Sequence, residues 1–171
     1  MKRYIRSDSS YTLGKNNHVP SYEEIVDGIA TYGGFPVRYN PRMSAEAHNL
    51  TTLIEVSDKF FDYGESGQQH ILNHEVAHNL SDDLMYEHSG DWNEFASAFI
   101  TEKHVPETSL AYERGQRTYW EGLYGDIGAT ALSETTTRAI TEYLDDPDRL
   151  KRRSLEAYEV IDEFMRRHNY I

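Results

Sequence analysis

The sequence predicts an α+β fold, with a small sheet toward the N-terminal half and a mainly helical C-terminal half. Two observations carry this expectation. Phe35–Tyr39 and Asn49–Phe61 are rich in β-branched and aromatic residues, as strands require. From Gln68 onward the apolar residues return instead at helical spacing, first as Leu72, Val76, Leu80 and Leu84.

In chain order, Lys2–Arg6 suits one short strand, followed by a polar loop to about residue 20. Ser21 and Glu24 make a capping box that opens a helix over Tyr22–Tyr32, with Ile25, Val26 and Ile29 inward and Gly33-Gly34 as its stop. Phe35–Tyr39 and Asn49–Phe61 are the expected strands. The second, through Leu50–Val56, leads into the long helix and is expected to border a cleft, where an exposed edge could take up an extended peptide as an added strand. Gly64 and Gly67 make the strand-to-helix turn, and a helix follows over Gln68–Leu84. Beyond it, helices are expected over Asp91–Lys103, from Thr108 to Trp120, over Ser133–Leu144 and over Ser154–Arg167. Trp120–Leu132, with Gly122, Gly125 and Gly128, reads as a loop, and Asp146-Pro147 separates the last two helices.

The 171 residues suit one domain spanning 1–171, and 38% hydrophobic content is enough to fill its core. With no Cys there are neither disulfides nor thiolate ligands, so any metal must be held by His and carboxylates. That donor chemistry belongs more to catalytic than to structural zinc. The net charge of −12 argues against a nucleic acid or an acidic membrane as partner. No apolar run is long enough to span a membrane, and the basic residues 1–8 lack the apolar stretch of a secretory signal, so a cytoplasmic location is expected. The sequon Asn49-Leu50-Thr51 would matter only in a secreted protein.

The chemistry is concentrated in Asn73-His74-Glu75-Val76-Ala77-His78, an HExxH arrangement on the Gln68–Leu84 helix. Two His four residues apart lie about 6 Å apart on one helical face, so their imidazoles can converge on one tetrahedral ion. Glu75 then stands beside the metal without ligating it. It is placed to take a proton from water that the metal has acidified and to return it to a leaving amine. This is metal-assisted hydrolysis, with Zn2+ as the expected ion.

A third protein ligand is needed. His70 continues the series of His residues, but eight residues of helix rise about 12 Å, too far for His70 and His78 to meet one ion. Glu87 follows the helix too closely. Glu94 and Glu134 remain, each expected near the start of a helix that faces the site.

Ile54–Leu84 together with Glu134–Phe164 resembles the catalytic domain of the anthrax-lethal-factor-like metallopeptidases, which include the proline-proline endopeptidases. In that family HExxH is followed, some forty or more residues later, by a helix whose leading Glu binds zinc. Here Glu134, Thr137, Ala139, Ile140, Tyr143, Asp146-Pro147, Leu150-Lys151 and Tyr158 fall in matching order. The resemblance covers about 60 residues in two blocks, and Ala77 stands where the family usually has Gly. It implies a zincin-like fold, a zinc endopeptidase acting on a peptide or protein, and Glu134 as the third ligand beside His74 and His78. It also implies a Tyr that donates a hydrogen bond to the oxyanion, for which Tyr124 is the nearest match and Tyr119 the reserve. Proline specificity does not carry over, since residues 85–132 do not match. The competing expectation is a peptidase fold without activity, serving as a binding or structural module; such a module has no use for Glu75.

Overall fold

The computed structural model describes residues 18–100 and 129–171, with the side chains of residues 129–131 left aside. The strand expected at Lys2–Arg6, the helix expected from Thr108 to Trp120, and both Tyr119 and Tyr124 lie outside these residues.

The capping box at Ser21 is present: its hydroxyl accepts from Glu24 N, while its own N–H donates to Glu24 Oε2 at 2.7 Å. It opens helix α1, Tyr22–Val26, which is much shorter than the helix expected to reach Tyr32. Gly28 takes a φ of 75°, and the N–H groups of Ile29 and Ala30 both fold back onto Glu24 O, which ends the helix. Of the expected inward face only Ile25 is buried; Val26 and Ile29 are exposed.

Gly33 and Gly34 do not stop that helix. With φ of 55° and 83° they form the two-residue turn of a hairpin between β1, Thr31–Tyr32, and β2, Phe35–Tyr39. A turn with both central residues left-handed matches the twist of paired strands, and only glycine adopts it without strain.

The expected strand Asn49–Phe61 is divided. Ala47–Asn49 is β3, Ile54–Val56 is β4, and Asp58–Asp62 is a 3-10 turn capped by Ser57. Between β3 and β4 the Asn49 side chain accepts from Thr51 N at 2.7 Å, Leu50 N bonds Leu53 O, and Thr51 is left-handed at φ 73°. A local side-chain turn has overridden the β-branched run. Among the described residues the sheet runs β1-β2-β4-β3, with β2 parallel to β4 and β3 antiparallel on the outer edge.

Helix α2, Glu65–Asp82, carries the Leu72, Val76, Leu80 stripe, fully buried, and Leu84 continues it into a π-helical turn, Asp83–Glu87. After α3, Ser89–Phe99, the described chain resumes with α4, Ala129–Asp145, then α5, Pro147–Arg153, and α6, Leu155–Arg167. Helix α4 starts four residues before Ser133, so the end of the expected Trp120–Leu132 loop is already helical. Asp146 caps α5 with Pro147 in its first turn, the position where a missing N–H costs nothing.

Packing follows the apolar faces. Helix α2 packs most extensively on α4 and also touches β3, while α3 packs on α6. Trp92 is wholly buried and its Nε1 donates to Thr136 Oγ1 at 3.1 Å, joining α3 to α4. The result is an α+β arrangement of a small mixed sheet with a mostly helical remainder. No helix among the described residues is long and apolar enough to cross a membrane.

Candidate metal centre

The faces of α2 and α4 that meet carry the chemistry. His74 and His78 project from α2 with ring centroids 4.8 Å apart, and Glu134 faces them from α4. One donor atom from each of the three lies within 4.8 Å of the others, with His78 Nε2 3.9 Å from Glu134 Oε1. Ligands on a tetrahedral zinc with bonds of about 2.0–2.1 Å stand roughly 3.4 Å apart, so a small closing movement completes the geometry. Two imidazoles and one carboxylate are also the donor chemistry of catalytic zinc. The trio therefore fits a metal of that class.

Glu134 is the sixth residue of α4, not its first. Stabilisation by a helix N-terminus, which the expected boundary at Ser133 would have provided, does not reach it. What places it is the periodicity of α4: Glu134, Thr137 and Thr141 share the stripe that faces α2. Glu94, the other candidate, is exposed on α3, and its carboxylate is not among the donor atoms gathered around His74 and His78.

Thr137 and Thr141 complete the surroundings of the two imidazoles. Thr141 Oγ1 lies 3.3 Å from His74 Nδ1, and Thr137 Oγ1 lies 3.5 Å from His78 Nδ1. The single hydroxyl proton of Thr141 goes to Thr137 O, at 2.8 Å, so toward His74 this oxygen acts as acceptor. His74 then carries its proton on Nδ1 and keeps the Nε2 lone pair for a metal. Thr141 was not singled out from sequence, although its place one turn after Thr137 on the same stripe was available to find it.

Burial sets the electrostatics. It pushes the Glu75 carboxyl up to about 7, with the charge of Glu134 adding to the rise and the Asn49 backbone N–H opposing it. A base poised near neutral pH suits proton transfer. Burial also brings His74 down to about 4, helped by His78, His70 and Arg138, and lowers His78 against the opposing pull of Glu134 and Asp82. Both shifts favour the neutral imidazole, the form that ligates. The Asn49 side chain donates to Glu75 O at 2.7 Å, which fixes edge strand β3 against the motif.

His74 and Glu75 line a cavity of about 510 Å³ that is bordered by Glu46 and Ala47 beside β3 and by Arg138, Thr141 and Glu142 on α4. His70 lies on its rim and is engaged elsewhere, its Nδ1 lying 2.5 Å from Asp145 Oδ2, so it stays out of the trio as its spacing required. The expected oxyanion donor, Tyr124 or its reserve Tyr119, falls outside the described residues. No protein-family model, curated protein or solved structure matches the chain.

Proposed function

We propose that the protein is a zinc-dependent endopeptidase of zincin-like fold, with His74, His78 and Glu134 as metal ligands and Glu75 as general base. The observation that carries the reading is the meeting of α2 and α4. It brings Glu134 to a His pair 56 and 60 residues away in sequence, beside a cavity that Glu75 also lines. The reading also rests on the resemblance to lethal-factor-like peptidases, whose matching residues Glu134, Tyr143 and Asp146-Pro147 lie along α4 and into α5.

When bound, zinc supplies a Lewis acid that brings the pKa of water to about 7 and polarises a carbonyl. Glu75, neutralised in part by burial, accepts the proton of the attacking water and delivers it to the amine that leaves. Thr141 and Thr137 hold the imidazoles in orientation from behind. Strand β3, paired on one side with β4, offers its other edge beside the cavity to an extended peptide or protein substrate. Among the described residues the sheet edge is β3, just ahead of the strand expected from sequence.

The test is cleavage of a broad peptide library, read by mass spectrometry before and after chelation. Cleavage that stops on chelation and returns with zinc supports the reading. Cleavage that continues after the metal is gone contradicts it.

A further inference from the structure

A second group of donors lies away from the α2–α4 centre, where α3 packs on α6. His88 ends the π-helical turn with φ −131° and ψ 52°, Asp91 stands in the first turn of α3, and His168 caps the C-terminus of α6. These three come from two regions some 80 residues apart. One donor atom from each nevertheless lies within 4.8 Å of the other two.

The surroundings are those of a formed site. The rings of His88 and His168 are 4.0 Å apart at their centroids and lie against Phe164, which closes one side. His168 Nε2 is buried and has no hydrogen-bond partner among the described residues. A buried nitrogen left so is costly unless something occupies it. The Asp91 carboxylate is oriented by Arg167, whose Nη1 donates to Oδ2 at 2.9 Å. Arg167 also pairs with Glu163, so its charge is shared. Asp83 stands close by, accepting from Tyr170 Oη at 2.6 Å with Oδ2 3.7 Å from His88 Nε2.

We propose that His88, Asp91 and His168 form a second metal site for a divalent cation of zinc-like preference, which ties the π-helical turn and the start of α3 to the end of α6. Two imidazoles and one carboxylate select such a cation over calcium or magnesium, which take mainly oxygen. The three donors come from two parts of the chain that pack against each other, so the role is that of a staple. A cation bound only in the folded state raises stability with its concentration.

The test uses His74→Ala, in which the α2–α4 centre is disabled, so the outcome does not depend on peptide hydrolysis. Zinc titration should give about two ions per chain for the parent protein and about one for His74→Ala. Zinc should also raise the Tm of His74→Ala by several degrees, and that rise should vanish when His168→Gln or Asp91→Asn is added. If His74→Ala takes up no zinc, or if its zinc-dependent Tm rise survives both added substitutions, the proposal is overturned. Should neither combined variant fold, the imidazole resonances of His74→Ala decide. Shifts at His88 and His168 on adding zinc support the site, and unchanged resonances overturn it.

Discussion

Thr141 accepts a hydrogen bond from His74 across the α2–α4 interface, with 3.3 Å between Oγ1 and Nδ1, because its own proton is already committed to Thr137 O. A residue with no contact to the metal position thereby selects the imidazole tautomer that can bind one. Thr141→Val keeps the shape and removes the acceptor. It should weaken zinc binding by about 10–100-fold, while Thr141→Ser should stay near the parent. Chelator competition on the two variants, in a His168→Gln background so that a single centre is counted, checks this. Equal affinity in Thr141→Val and the parent would remove Thr141 from the account.

The same assay decides the third ligand. Glu134 lies 3.9 Å from His78 Nε2, whereas Glu94 is exposed on α3. Losing a ligating carboxylate opens a coordination position and leaves excess positive charge, so Glu134→Ala should lose zinc affinity by orders of magnitude. Glu94→Ala should leave it nearly unchanged. The reverse pattern would reassign the ligand and weaken the likeness to lethal-factor-like peptidases.

Beside the cavity, Tyr32 Oη donates to Asn73 Oδ1 at 2.6 Å, Asn73 Nδ2 donates to Asp145 Oδ1 at 2.7 Å, and Asp145 holds His70. This chain joins β1, α2 and α4. The hydrogen bond that His70 donates to Asp145 raises the pKa of His70 above its ordinary 6.5. A group whose pKa is raised on folding stabilises fully below the unfolded value and loses that contribution as pH rises through the folded value. Metal-free parent protein should therefore lose stability relative to His70→Gln as pH rises from about 5.5 to 8.5, with the change beginning near the unfolded pKa of about 6.5. The imidazole is well exposed, so the difference is expected to be small. Urea midpoints of both proteins across that range measure it; parallel curves would show that the pair does not couple to folding.

Where local signals agreed with packing, the sequence was legible. The four-residue stripe from Leu72 to Leu84 is buried as its spacing required, and the Ser21–Glu24 box and strand Phe35–Tyr39 stand where their chemistry put them. Where two local signals competed, the fold followed the one that the sequence did not single out. Gly28 and Gly33-Gly34 are both helix stops by composition, and only the backbone shows that Gly28 ends α1 while the pair turns a hairpin. Asn49 likewise outweighed the β-branched residues after it by bonding Thr51 N. In the site, the α2 residues were readable because HExxH is local. Glu134 needed a family likeness, since nothing in the spacing between His78 and residue 134 distinguishes it from Glu94. The π-helical turn and the His88–His168 contact were not legible at all: a π turn has no distinct composition, and the two rings meet only through the packing of α3 on α6.

The central claim is that Glu75 performs proton transfer beside a metal held by His74, His78 and Glu134. Glu75→Gln retains the shape of the side chain and lacks its basicity. The decisive measurement is peptide-library hydrolysis by Glu75→Gln and the parent, each with its zinc content determined on the same sample. Equal zinc content with hydrolysis reduced by about 10²–10⁴-fold or more is the result expected; hydrolysis at the parental rate by zinc-loaded Glu75→Gln would contradict the account.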